Sequence, residues 1–270
     1  MVEKFLEGKG ALITGGASGF GRGAAFEFAQ RGADLILVDI NAELLEETAQ
    51  KIEQETKQRV IPIVCDVSNS EQVSEMGKKA FRELDNIYVL FNNAGVGITY
   101  GKSLLRVSDD IWDKEMDINL KGQWLVAKAL WRKMNNQKFE PLAGKMIHTA
   151  SISGIAMDIS TPVYSITKAG IIAMVRILAQ TLAPKITVNA ISPGYHLTGI
   201  YKDDEETMKF TMKDGNVKTP LNRIGTVEDV VKLVSFLASP GSEFITGHNF
   251  VVDGGIAEAG VPPNFVKSDI

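Results

Sequence analysis

Tyr164 and Lys168 stand four residues apart in Tyr164-Ser165-Ile166-Thr167-Lys168. At helical spacing, positions i and i+4 share one face, so a phenol and an ammonium would be held side by side. A tyrosine ordinarily titrates near a pH of about 10, too high for a base at neutral pH. A neighbouring cation favours the phenolate and lowers that value. A tyrosine tuned in this way can exchange a proton with an alcohol or a ketone. The same pair is also what a core ring beside a solvated charge would give, so it does not decide the chemistry by itself.

A second group of residues has the chemistry of a phosphate cradle. Thr14-Gly15-Gly16-Ala17-Ser18-Gly19-Phe20-Gly21 joins an apolar run, residues 10–14, to a stretch of helical periodicity, residues 20–31. Glycines let the backbone turn tightly and approach a pyrophosphate, which then meets the free N–H groups of a helix start. Gly19-x-Gly21-x-x-Ala24 fits the dinucleotide fingerprint, and Asp39 follows at the end of the next apolar run. Asp39 would accept two hydrogen bonds from an adenosine ribose and repel a 2′-phosphate. No lysine or arginine occupies Ala17, Ser18, Ile40 or Asn41 to offset that repulsion. The other role open to Asp39 is a cap for the following helix. Asp66, after a third apolar run, suits an adenine amino group and suits a cap or Asx-turn equally well.

Positioning these residues takes a regular frame. Apolar runs predict strands at residues 10–14, 34–38, 59–65, 88–91, 145–149, 186–191 and 249–252. Helical periodicity predicts helices at 20–31, 42–57, 70–84 with Ser70 as N-cap, 109–135, 162–182 and 227–237. Strands alternating with helices, and apolar throughout, indicate a mainly parallel sheet covered on both faces. The expectation is one doubly wound, Rossmann-type α/β domain over residues 1–270, with seven strands. Residues 202–219, charged and without a strand pattern, read as a lid on the substrate side. Residues 256–270, with Pro262-Pro263, read as a C-terminal arm.

Composition excludes several classes. Of 270 residues, 44% are hydrophobic and 23% charged, as in ordinary globular proteins. A net charge of −4 gives no support for nucleic acid or an anionic membrane as partner. No apolar run reaches the ~18 residues of a spanning helix, and the first residues carry no apolar leader segment. Cys65 is the single cysteine, so no intrachain disulfide forms, which fits a cytoplasmic location. His148, His196 and His248 are widely separated, without metal-ligand spacing, and no metal is expected.

Taken together the motifs resemble the short-chain dehydrogenase/reductase family, the small single-domain NAD-dependent type. The resemblance runs from Lys9 to Gly255 and rests on Thr14-Gly15-x-x-x-Gly19-x-Gly21, Asp66, Asn92-Asn93-Ala94-Gly95, Asn119, Ser151, Tyr164-x-x-x-Lys168 and Pro193-Gly194, in family order. It implies that Tyr164 is the general acid for ketone reduction and the base for alcohol oxidation. It implies that Lys168 lowers the tyrosine pKa and bonds the nicotinamide ribose, that Ser151 holds the substrate oxygen, and that Asn119 binds a water passing protons on from Lys168. The implied cofactor contacts are Gly15, Ser18, Gly19, Phe20, Gly21, Asp39, Ile40, Asp66, Val67, Asn93, Ala94, Gly95, Tyr164, Lys168, Pro193, Gly194, His196 and Thr198, for NAD. Asn92 would shape the turn beside them. His196 stands where the family commonly has a small aliphatic residue. A backbone contact survives that exchange, and the nearby surface becomes more polar. The resemblance also implies a homotetramer, or at least a dimer, built on residues 109–135 and 162–182.

By the same resemblance the substrate would meet Ser151, Ser153, Met157, Tyr164 and Tyr195, with Ile155, Ala156, Val96, Ile98, Tyr100, Leu197, Tyr201, Met208 and Met212 around them. That lining is apolar and holds no arginine cluster. It favours a neutral hydrophobic secondary alcohol or ketone such as a steroid, a cyclic alcohol or an aryl ketone. Two alternatives remain open. One is a 3-oxoacyl-carrier-protein reductase, against which Asp39 argues because that group usually takes NADPH. The other is a dinucleotide-sensing regulator, which has no need of a proton donor.

Overall fold

In a computed structural model of the chain, which describes residues 3–196 and 219–257, seven strands form one sheet in the order β3-β2-β1-β4-β5-β6-β7, every pairing parallel. The strands are β1 (Gly10–Thr14), β2 (Asp34–Asp39), β3 (Val60–Val64), β4 (Val89–Asn92), β5 (Gly144–Thr149), β6 (Ile186–Pro193) and β7 (Asn249–Val252). The chain starts mid-sheet at β1, runs outward through β2 and β3, then returns to the other side of β1 with β4. The order therefore reverses between β1 and β4, the place where open α/β sheets leave a crevice at the strand ends.

Alternation along the strands supplies two cores. In β1, Leu12 packs on one face, while Ala11 and Ile13 pack on the other. The first face is covered by α3 (Ser70–Glu83), α5 (Gly122–Asn135) and α7 (Pro162–Leu182), and the second by α1 (Gly19–Gln30), α2 (Ala42–Thr56) and α8 (Val227–Ala238). On α1 the buried residues Gly21, Ala24, Ala25, Phe28 and Ala29 follow the helical period. The 21-residue α7 is apolar enough to cross a membrane by length and composition, with mean hydropathy 1.4 in its most apolar window. Here part of that apolarity faces the sheet, where Ile171, Val175, Ala179 and Leu182 are buried.

Most helix and strand bounds fall within a residue or two of expectation. Two helices differ in kind. The α3 N-cap is Asn69, whose side-chain oxygen accepts from the N–H groups of Glu71 and Gln72, so Ser70 is the first helical residue. Both are good caps, and the residue that reaches two donors holds the position. Residues 109–135 are also not one uniform helix. They divide into α4 (Asp109–Met116), a π turn (Asp117–Lys121) and α5, with the Gly122 N–H bonded to the Asp117 carbonyl five residues back. The extra residue in that turn belongs to the site.

Candidate active site

The phosphate turn is built by close approach. Gly15 has φ +68, and a Cβ there would lie 2.9 Å from Asn93 Nδ2. A Cβ on Gly21 would overlap the Gly15 carbonyl. Thr14 locks the turn to β4: its Oγ1 accepts from the N–H groups of Asn93 (2.9 Å) and Ala94 (3.0 Å) and donates to Asn92 Oδ1 (3.2 Å). Ser18 is the N-cap of α1, and its side chain makes no cap bond, so the first N–H groups of that helix point outward without a side-chain acceptor.

Asp39 closes the cradle. Its Oδ2 accepts from the Ala17 N–H at 3.1 Å and its Oδ1 from the Asn41 N–H at 3.0 Å. The cap of α2 is Asn41, which accepts from the Leu44 N–H, so Asp39 is not spent on that task. A carboxylate has roughly four lone-pair positions, and two remain for a ribose diol. Asp66 takes the Asx-turn role: its Oδ1 accepts from both the N–H and the hydroxyl of Ser68. Ile40 is exposed beside Asp39, and Val67 is buried beside Asp66. The turn, the carboxylate and the glycines together fit a dinucleotide.

The residues expected to transfer the proton lie at the carboxyl end of β5 and on α7. Lys168 is buried, 2% exposed, and donates from Nζ to the Thr149 carbonyl at 2.8 Å. The same Nζ lies 5.3 Å from the centroid of the Tyr164 ring, so the helical spacing does bring the pair together. Burial pushes the Lys168 ammonium down to about 7, opposed by the carboxylate of Glu115. Ser151 follows two residues after Thr149, and its Oγ accepts from the Ser153 N–H at 3.1 Å. The short helix α6 (Ser153–Ala156) presses on α7 through Gly154, where a Cβ would lie 2.6 Å from the Lys168 carbonyl carbon. Gly95 fits the remaining gap: a Cβ there would lie 3.1 Å from Asn119 Oδ1 and 3.6 Å from Lys168 Nζ.

Asn119 occupies the π turn, fully buried. Its Oδ1 accepts from the Val96 N–H and its Nδ2 donates to the Val96 carbonyl, both at 2.8 Å, with Thr167 Oγ1 at 3.4 Å. The side chain is thus engaged by protein groups. The expected water would bond the second Oδ1 lone pair or the main chain that the π turn opens.

His196 departs from expectation. It is buried, its ring meets Phe20 edge-on with centroids 5.4 Å apart, and Nδ1 pairs with the Gly194 carbonyl at 3.0 Å. A Cβ on Gly225 would overlap the ring, so the absent side chain there makes room for it. The imidazole adds packing, not surface polarity, and burial lowers its pKa. Pro193, last in β6, pairs with Val252, and Gly194 bonds the Val252 carbonyl.

On the substrate side, the Gly101 N–H bonds the Ser160 carbonyl at 2.7 Å, joining the segment after Asn-Ala-Gly to the segment after Ser151. Tyr100, Ile155, Met157 and Ile159 are exposed there, and Met157 adopts φ 47. Tyr195 is half-buried. Thr198, Leu197, Tyr201, Met208, Met212 and nearly all of the 202–219 and 256–270 segments lie outside the described residues. Thr219 itself is buried.

Three residues that the motifs do not mark lie around the same groups. Glu115, fully buried, accepts from the Ile98 N–H (2.8 Å) and from the Thr99 hydroxyl (2.7 Å). Gln123 and His148 form a polar pair behind Thr149. Their trace in the sequence is a polar residue within an otherwise apolar helix face or strand.

Comparison with known proteins then decides the family. The family model described as enoyl-(acyl carrier protein) reductase, a short-chain type, matches residues 15–257. The chain belongs to the short-chain dehydrogenase/reductase family. The 3-oxoacyl-acyl-carrier-protein reductase FabG of Thermotoga maritima is 35% identical over 252 residues, covering 93% of this chain and 98% of that protein. Levodione reductase superposes with TM-score 0.87 at 29% identity, covering 94% of this chain and 99% of that one. NAD+-bound xylitol dehydrogenase superposes with TM-score 0.85 at 30% identity, covering 93% and 99%. The protein is an oxidoreductase with a nicotinamide dinucleotide cofactor.

Proposed function

We propose that the protein transfers a hydride between NAD(H) and a hydrophobic secondary alcohol or ketone, with Tyr164 as proton donor and acceptor. The observation that carries this reading is the buried Lys168 amine, seated on the Thr149 carbonyl beneath the Tyr164 ring. When bound, the cofactor would supply the hydride in reduction and accept it in oxidation. Gly15, Gly19, Phe20, Gly21, Asp39, Asn93, Ala94, Gly95 and Lys168 would hold it, together with Pro193, Gly194 and the His196 backbone. In reduction the Tyr164 hydroxyl gives its proton to the carbonyl oxygen. In oxidation the phenolate takes the proton of the alcohol, favoured by the ammonium beside it. The Ser151 hydroxyl donates to the same oxygen and stabilises its charge.

The preference for NAD rests on Asp39, and the superposable xylitol dehydrogenase binds NAD+. The preference for an apolar substrate rests on the exposed Tyr100, Ile155, Met157 and Ile159, and levodione reductase is named for a ketone. The second reading is a 3-oxoacyl-acyl-carrier-protein reductase, favoured by the identity to FabG. We further propose a cytoplasmic homo-oligomer, a tetramer or a dimer, with neither nucleic acid nor membrane as partner. Consumption of NADH and NADPH with a panel of cyclic and aryl ketones and an acetoacetyl thioester tests these readings. Turnover of the ketones with NADH supports the first. Turnover of the thioester alone supports the second, and cofactor binding without turnover of anything would leave a sensor.

A further inference from the structure

We propose that Gln123 and His148 are a positioning pair for Lys168, acting through the Thr149 carbonyl; this rests on the proton-transfer role of Tyr164 and Lys168 above. Thr149 is the last residue of β5. Its peptide unit is held on one side, where the Ala150 N–H bonds the Ile191 carbonyl of β6 at 2.8 Å. Pairing with β4 on the other side stops at His148, so no strand partner seats the Thr149 carbonyl there. Two side chains take that place: Lys168 Nζ at 2.8 Å and Gln123 Nε2 at 3.1 Å. Ala150 fixes the plane of that peptide unit, and the amide of Gln123 is the second side chain, beside Lys168, bonded to its carbonyl.

The Gln123 amide has one workable orientation. Rotated by half a turn, its oxygen would face the Thr149 carbonyl, acceptor against acceptor. Its Oε1 therefore accepts from His148 Nδ1 at 2.9 Å, and the imidazole carries its proton on Nδ1. His148 Nε2 is buried without a hydrogen-bond partner among the described residues. The Gln123 main chain is tied as well: its carbonyl accepts from Asn92 Nδ2 at 2.7 Å, and Asn92 leads to Thr14. Gln123, His148 and Lys168 are all buried, so the bonds form where water does not compete. Burial pushes the His148 imidazole down to about 3, which keeps it neutral at working pH. The pair acts by geometry. The groups that charge or titrate around Lys168 are Glu115 from α4, Tyr164 from α7 and His148 from β5.

Ring-15N NMR of the cofactor-bound wild-type protein reads the chain without a variant. The expected spectrum has His148 as the Nδ1–H tautomer, unchanged between about pH 5 and 9; an Nε2–H tautomer, or titration in that range, overturns the proposal. Gln123→Met and His148→Phe are each expected to lower kcat about tenfold and to move the ascending limb of the pH profile of alcohol oxidation upward by about half a unit or more, with NADH affinity within about twofold. The double variant is expected to be no worse than the more severe single, since both cut one chain. Losses that multiply, or an unmoved ascending limb, contradict it. If Tyr164→Phe retained turnover, the proton-transfer role would fail, whereas the tautomer, measured without substrate, would still judge the pair. Should either variant not fold, the wild-type spectrum decides.

Discussion

The proposed preference for NAD rests on one side chain, Asp39. Its two oxygens each accept one backbone N–H, from Ala17 and from Asn41, which fixes the carboxylate at the end of β2 and leaves lone pairs for a ribose diol. Against NADP the same carboxylate would meet a phosphate carrying nearly two negative charges. Two unit charges ~4 Å apart repel by about 4 kcal/mol at an effective dielectric of 20, before relaxation and counter-ions reduce it. The expected preference for NADH over NADPH in kcat/KM is therefore about 100-fold or more, since each 1.4 kcal/mol is tenfold. Asp39→Ala should narrow it, and Asp39→Ala with Ile40→Arg should narrow it further or reverse it. Equal kcat/KM values in the wild type would remove the ribose from this position.

At the scale of elements, the site depends on how closely α6 lies on α7. Gly154 permits that approach, because any Cβ would press on the backbone of Lys168 and Ala169. Gly154→Ala should push α6 outward and carry Ser151 away from Tyr164. We expect a stability loss of about 1–3 kcal/mol in urea unfolding and a fall in kcat larger than any change in NADH affinity. Unchanged kcat and midpoint would show that the contact relaxes without moving the serine. The strands, the phosphate turn and the Tyr164–Lys168 pair were legible in the sequence because each is a local pattern of two to ten residues. The π turn was not: residues 109–135 keep an unbroken helical period, and the bulge arises because Asn119 bonds Val96, 23 positions away. Gln123, His148 and Glu115 were hidden for the same reason, since their partners come from other elements. His196 misled because its type suggested polarity, whereas Phe20 and the gap at Gly225 bury it.

The whole molecule places every part of this chemistry at the carboxyl ends of β1, β2, β4, β5 and β6, around the reversal between β1 and β4. The opposite consequence of so apolar a helix set is exposed hydrophobic surface: Trp124 on α5 and Ile166 and Ile177 on α7 remain in contact with solvent in the single chain. The assembly proposed above would cover residues of these two helices. Light scattering at micromolar concentration should give the mass of a tetramer or a dimer, and Ile177→Glu with Trp124→Glu should lower it. A monomeric wild type would remove this assembly from the account. The most direct test of the whole is the rate of NADH oxidation by Tyr164→Phe with a ketone that the wild type reduces. Removing one hydroxyl while keeping the ring should lower kcat by about 100- to 10,000-fold with NADH affinity retained. A variant that kept more than about a tenth of the wild-type kcat would contradict general acid catalysis by Tyr164.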